Sequence, residues 1–234
     1  GVQTCALPIY LWDDVARSKN FQENRLYFDK IFSFDNEDCE RYNLIFQPLF
    51  FCDDFRCKKK KDIKYDLFFS GWLHSDREDM IKSIIPRLEN ANYTFYIHLF
   101  TGVITSIKKY GLKNILFKIP IYVKFQKLSI NENALLCLKS NVILDIQHKS
   151  QQGLTMRVFE ALASKCKLIT TNENIKRYDF FNERNVQVIN RNDLNLDMEI
   201  FESQFYDIPC DIVDKYSLSN WISRIFDCDL YDEK

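Results

Sequence analysis

Short, unbroken apolar runs alternate with longer amphipathic stretches along most of the 234-residue chain. Runs of that kind suit strands buried on both faces of a parallel sheet. The rhythm is most regular from Tyr65 onward. "YDLFFSGWL" (residues 65–73) predicts a strand that ends in a Ser-Gly loop. "SDREDMIKSIIPRLEN" (75–90) predicts a helix with Ser75 as N-cap, acids in the first turn and an apolar stripe of Met80, Ile81, Ile84, Ile85 and Leu88. Pro86 predicts a kink near its end. Strands follow at 93–100, 141–148 and 186–190, and helices at "INENALLCLKS", at the stretch beginning near Leu154, and at 216–226. "IYVKFQKLS" (121–129) leads into a turn. Strands alternating with helices imply βαβ units, so the fold class is α/β, a doubly wound parallel sheet.

The first part of the chain has shorter elements. Apolar strands are predicted at Tyr10, over 28–35 and over 44–51, where Pro48 must end the strand or push it to an edge. A short helix, "NEDCERYN", carries acids in its first turn. The charge-dense stretch 52–64 reads as a linker, and the basic run Lys58–Lys61 within it as a solvated surface. The domains are therefore 10–51, the tail of an amino-terminal domain; 52–64, the linker; 65–227, a carboxyl-terminal domain; and 228–234, a tail. The opening "GVQTCALPI" has no initiating Met and is similar to a translated sequencing adapter. Residues 1–9 are expected to be non-native, with the rest of the first domain upstream.

Composition narrows the function classes. Hydrophobic residues make up 46% of the chain, enough for a packed core, and the formal net charge is −1. That balance argues against a nucleic-acid binder working through phosphate attraction. The 8 cysteines are scattered and fit free thiols in a reducing, cytoplasmic setting. Cys52 and Cys57 have no second Cys or His pair to complete a zinc site. No apolar run is long enough to span a bilayer.

The stretch "QQGLTMRVFEALASKCKLITTN" (151–172) carries the candidate chemistry. Helical spacing puts Leu154, Val158, Ala161 and Leu162 on a buried face, and Gly153, Arg157, Glu160 and Ser164 on another. Amides at Gly153, Leu154 and Thr155, at the helix start, suit an anion such as a diphosphate. Arg157 could pair with a phosphate and Glu160 with ribose hydroxyls. The plainer alternative is an i,i+3 ion pair on a surface helix.

The order strand, Gln152-Gly153, "FEALA", strand resembles the donor segment of GT-B glycosyltransferases, whose group-one enzymes place two glutamates with seven residues between them. Gln152 and Glu160 stand at those positions. The blocks "LDIQH", "SQ", "GLTMR", "FE" and "KLITTN", with upstream "YLWD", "FDK", "FSFD" and "PLF" and the "FFSG" and "HSDR" segment, resemble CgeB-type bacterial glycosyltransferases of polysaccharide and lipopolysaccharide clusters. The chain departs from the group-one pattern at Gln152, at Lys165 and at Cys166-Lys167. The resemblance implies a Rossmann-like donor domain of GT-B type. It implies glycosyl transfer from a nucleotide sugar to a glycan or lipid-linked acceptor, at the inner face of the cytoplasmic membrane. It also implies no cofactor, no metal and no nucleic acid. In that frame Glu160 binds the ribose. Gly153, Leu154 and Thr155 offer amides to the diphosphate, and Arg157 and Lys127 neutralise it. Ser70 and Gly71 form the loop after the first strand of the domain, with His74 and Arg77 near the cleft.

His148, directly after a strand, stands equally as a ligand contact or a loop residue. His98 reads as a satisfied core residue. Asp13 and Asp14 are weighed as acceptor-activating bases against Asx turns, and Trp12, Trp72 and Trp221 read as core. The acidic pair Asp227 and Asp229 lies in the tail. A nucleotide-sugar-binding protein without transferase activity, or an epimerase of the same architecture, is the rival reading.

Overall fold

The structure, a computed structural model, describes residues 8–226 except 14, 19, 59–61 and 112–118. Asp14, Lys59, Lys60, Lys61, Asp227 and Asp229 lie outside the described residues, as do Cys5 and Cys228.

Two separate parallel sheets form, as alternating strands and helices demand. The small sheet has the order β1-β2-β3, with β1 Pro8–Leu11, β2 Lys30–Ser33 and β3 Ile45–Phe46. Pro8 and Ile9 pair with Lys30 and Ile31, so the sheet begins inside the segment expected to be non-native. Strand β3 stops two residues before Pro48, at the sheet edge. Its Ile45 and Phe46 are exposed, whereas the apolar run predicted a buried strand.

The large sheet has the order β6-β5-β4-β7-β8-β9, all parallel. Its strands are β4 Tyr65–Trp72, β5 Phe95–Phe100, β6 Val123–Lys124, β7 Ser140–Asp145, β8 Lys167–Thr170 and β9 Val186–Val188. The chain runs outward from β4 to β6, then crosses to the far side of β4 and runs outward again. Leu67, Phe68 and Phe69 of β4 and Val142, Ile143 and Leu144 of β7 are fully or almost fully buried. Helices cover both faces, which is why these strands show no polar alternation.

The helix Arg77–Asn90 buries Met80, Ile81, Ile84 and Leu88 as its stripe predicts, with Pro86 inside it. Its N-cap position is Asp76; Ser75, the predicted cap, instead adopts a left-handed backbone with φ of 45°. The helix Ile130–Leu138 starts with a capping box in which Ser129 and Glu132 bond each other's backbone N–H. The helix Val103–Tyr110 is absent from the sequence reading, because Val103, Ile104 and Thr105 weaken its helical signal.

The segment between the sheets does not behave as a solvated spacer. Phe55 is buried, its carbonyl accepts the Ser164 hydroxyl at 3.0 Å, and the Cys57 N–H donates to the Ala163 carbonyl at 2.9 Å. The closing helix Leu218–Phe226 packs on the small sheet. Trp221 lies 4.8 Å from the rings of both Tyr10 and Phe50. The backbone of Phe51 bonds Tyr216 and Leu218 on the way. One apolar cluster therefore runs from Tyr10 and Phe32 through Phe51 to Val158, Phe159 and Ile225.

Among the described residues no cysteine forms a disulfide. No helix among them is long and apolar enough to cross a membrane. No group of three or more His, Cys, Asp or Glu side chains among them is placed to hold a metal ion.

Candidate active site

In an open α/β sheet the loops leaving two adjacent strands diverge where the strand order reverses, and they leave a crevice there. Here that point lies between the carboxyl ends of β4 and β7. A cleft of about 260 Å³ opens beside it. Ser70, Asn133, Arg157 and Glu160 contribute polar groups, while Trp72, Phe100 and Met156 give apolar walls.

The helix Met156–Ala163 supplies the ion pair at the cleft. Every residue from Val158 to Ala163 is buried, so the helix is enclosed on both sides and not a surface helix. Arg157 and Glu160 meet at 2.6 Å with side chains only 15% and 10% exposed. Arg157 also donates to Asn133 Oδ1 at 3.1 Å, to Ser70 Oγ at 2.6 Å and to the Ser70 carbonyl at 3.2 Å. Asn133 in turn accepts from the Ser70 hydroxyl at 3.0 Å and donates to Glu160 at 3.5 Å. Burial works against the Arg157 charge, but Glu160, Cys137 and Asp145 more than offset it and hold the guanidinium above its ordinary value. Burial pushes the Glu160 carboxyl above the usual carboxylate range, against the pull of Arg157 and Asn133. The guanidinium is thus committed to fixing Glu160, Ser70 and Asn133 in place.

The start of this helix departs from expectation. The amides of Gln152 and Gly153 donate to Asp35 Oδ2 at 3.1 and 3.0 Å, so the expected anion cradle holds a carboxylate of this chain. Gly153 is buried against Phe34, and Leu154 is in the core. Thr155 is the N-cap residue, and its hydroxyl donates to Asp145 Oδ1 at 2.8 Å. Gln152 faces away toward Asn172 and Asn174, both of which donate to its carbonyl at 3.0 Å.

Arg77 bridges the two diverging strands. It donates to the Ile146 carbonyl at 2.7 Å and to the Trp72 carbonyl at 3.1 Å. Burial lowers its guanidinium to about 10, which leaves it charged at neutral pH. Gly71 leaves room for this crossing, since a Cβ there would stand 3.0 Å from an Arg77 nitrogen. His74 and His148 follow β4 and β7, and their rings lie 5.4 Å apart across the crevice. Each Nδ1 is bonded to a neighbouring serine hydroxyl, Ser75 at 2.7 Å and Ser150 at 2.9 Å. Lys127 places its ammonium 4.6 Å from the Trp72 ring and 5.5 Å from that of Phe100.

Of the expected site residues, Ser70, Gly71, Lys127, Arg157 and Glu160 line the cleft. The expected core residue Trp72 is 51% exposed at the cleft, and Trp12 is also exposed; only Trp221 is buried. His98 is buried as expected and also lines the cleft. Its Nε2 donates to the Gln126 carbonyl at 2.8 Å, and burial lowers its pKa. Asn133 and Asp35 are the residues that sequence reasoning missed. Asn133 lies in the stretch "INENALLCLKS", which places it on a helix but not beside Arg157.

No family model matches the chain, and no curated protein matches it. Among solved structures, the UDP-GlcNAc 2-epimerase from Methanocaldococcus jannaschii is similar at 16% sequence identity with a TM-score of 0.36. The likeness covers 55% of this chain and 36% of that one.

Proposed function

We propose that this chain binds the nucleoside diphosphate of a nucleotide sugar at the β4–β7 crevice and serves glycosyl transfer to a glycan or lipid-linked acceptor. The observation that carries the reading is the Glu160 carboxylate, fixed by Arg157 and Asn133 in a cleft at the strand-order reversal. A fixed carboxylate beside aromatic walls suits a ribose whose base lies against Trp72 or Phe100.

In the transfer an acceptor hydroxyl attacks the anomeric carbon and gives up its proton to solvent, and the bond from that carbon to the diphosphate oxygen breaks. The leaving nucleoside diphosphate takes the electron pair, and positive or N–H groups stabilise its growing charge. Lys127, His74 and His148 are the groups assigned to that task. Arg157 is a positioning residue that acts through Glu160 and Ser70. No step is routed through a metal or a nucleic acid. A lipid-linked acceptor would bring the work to the inner face of the cytoplasmic membrane.

Calorimetric titration of the chain with nucleosides, nucleoside diphosphates and nucleotide sugars tests the reading. Glu160→Gln is expected to weaken nucleoside binding about tenfold, the scale of one charge-assisted hydrogen bond. Wild-type protein that binds none of these ligands, or a variant that binds them equally well, overturns it.

A further inference from the structure

A second cleft, of about 380 Å³, lies at the carboxyl ends of β7, β8 and β9, on the opposite half of the sheet from the β4–β6 side. Six carboxamides line it: Gln147, Gln152, Asn172, Asn174, Asn190 and Asn192. Thr171, Glu173 and Arg191 add further polar groups.

The protein's own hydrogen bonds hold the planes of Gln147, Gln152, Asn172 and Asn174 in place. Asn174 Nδ2 donates to the Gln152 carbonyl at 3.0 Å and to its side-chain oxygen at 3.2 Å. Asn172, itself buried, donates to the carbonyls of Gln152 and Gly153 at 3.0 and 3.2 Å. Gln147 donates to the Gln151 carbonyl at 3.3 Å. Arg191 is pinned by Asp76 at 2.9 Å, by the Thr171 hydroxyl at 3.2 Å and by the Gln147 carbonyl. Asp76 neutralises its charge, so the charge left on the wall is the exposed Glu173 carboxylate, itself an acceptor for hydroxyls.

A carboxamide offers two N–H donors and two carbonyl lone pairs in one plane. Such a wall suits groups that donate and accept at once, as sugar hydroxyls do. A phosphate would find one guanidinium already neutralised. An aliphatic ligand would leave many polar groups without partners, at a cost for each.

We infer that this cleft is a carbohydrate subsite that takes a neutral, polyhydroxylated sugar unit. Two sources share that chemistry. One is the glycosyl part of a nucleotide sugar whose nucleoside lies over β4–β6, a source that rests on the function proposed above. The other is a glycan that binds independently of any nucleotide.

The test is calorimetry on the full chain with uridine and guanosine diphosphates, their glucose and mannose conjugates, and maltotriose as a neutral glycan. Wild type is compared with Asn192→Leu and with the near-isosteric Thr171→Val, each checked by a thermal melt. For a donor sugar, a conjugate binds at least about fivefold tighter than its diphosphate, and the variants erase that gain without altering diphosphate affinity. For an independent glycan, maltotriose binds without nucleotide, and the variants weaken it by about the same factor. Either result supports the subsite. No sugar-dependent binding of any probe, or sugar-dependent binding that both variants leave unchanged, overturns it. Failure of the proposed function reads differently: the diphosphates do not bind, while the maltotriose arm still reports on this cleft.

Discussion

The Asp35 carboxylate accepts the backbone N–H of Gly153 at 3.0 Å, joining positions 118 apart in the chain. The same side chain caps the helix Asn36–Tyr42 by accepting from Glu37 at 3.0 Å and Asp38 at 3.3 Å. One buried acid thus caps one helix, holds the loop that leads into another and ties the small sheet to the large one.

Asp35→Ala leaves four amides without that acceptor. It is expected to lower unfolding free energy by about 3 kcal/mol, the scale of losing hydrogen bonds to a charged group. Gly153→Ala attacks the same joint from the other side. Its methyl would stand 2.4 Å from the Phe34 ring and 2.5 Å from the Phe34 carbonyl oxygen. Overpacking of this kind costs roughly 1–3 kcal/mol or more. Urea denaturation measures both. A Gly153→Ala protein as stable as wild type would show that Phe34 does not press on this turn.

Arg157 and Glu160 form a buried pair, so either alanine substitution strands a charge in the core. Each is expected to cost roughly 3–5 kcal/mol of stability. That reverses the expectation from helical spacing alone, in which both sit on an exposed face and are removed at little cost. The paired replacement Arg157→Met with Glu160→Leu is expected to restore most of the stability and none of the nucleotide binding. Denaturation and calorimetry on the same three proteins separate packing from recognition.

Asp76 gives a pH dependence with a definite sign. Burial opposes its ionisation, but its own backbone N–H, Arg191 and Lys149 outweigh burial and hold the carboxyl below the ordinary range. A folded value below the unfolded one contributes stability that is fully present above the unfolded value, near about 4. That contribution is lost as pH falls through the folded value. Asp76→Asn should therefore melt lower than wild type by a constant margin between about pH 5 and 8, with the margin closing below about pH 4. A margin that widens in acid would contradict the assignment.

Trp72 reports on the cleft. It is exposed there, in contact with Lys127 and 4.4 Å from the Phe100 ring, while Trp221 is packed in the core. Nucleotide binding is expected to change intrinsic fluorescence in wild type and in Trp221→Phe. In Trp72→Phe the change should vanish. A response that survives loss of Trp72 would place the ligand elsewhere.

Residues 151–172 show how far local pattern reaches. Hydrophobic period was enough to place loop, helix and strand there, and to bury Leu154, Val158, Ala161 and Leu162. The same is true of the apolar stripe of residues 77–90. These features depend on side chains within a few turns of one another, so a short window of sequence contains their cause. Arg157 and Glu160 were legible as neighbours for the same reason.

The rest was decided by contacts between residues far apart in the chain. Asp35 caps a helix locally, and nothing near it signals the loop before a second helix that it also holds. Trp72 reads as core because tryptophan is mostly buried, yet its strand end projects into a cleft. The helix Leu218–Phe226 has an apolar face that periodicity reveals, but only its packing against Tyr10 and Phe50 shows which sheet it covers. The amide-lined cleft joins the loop that carries Gln152 to two polar turns after β8 and β9 that nothing local links to it. Sequence by itself determined the elements and their inward faces, because hydrophobic period is a local property. Tertiary structure alone decided which groups share a site, because parallel strands bring together loop ends that the intervening helices keep apart in the chain.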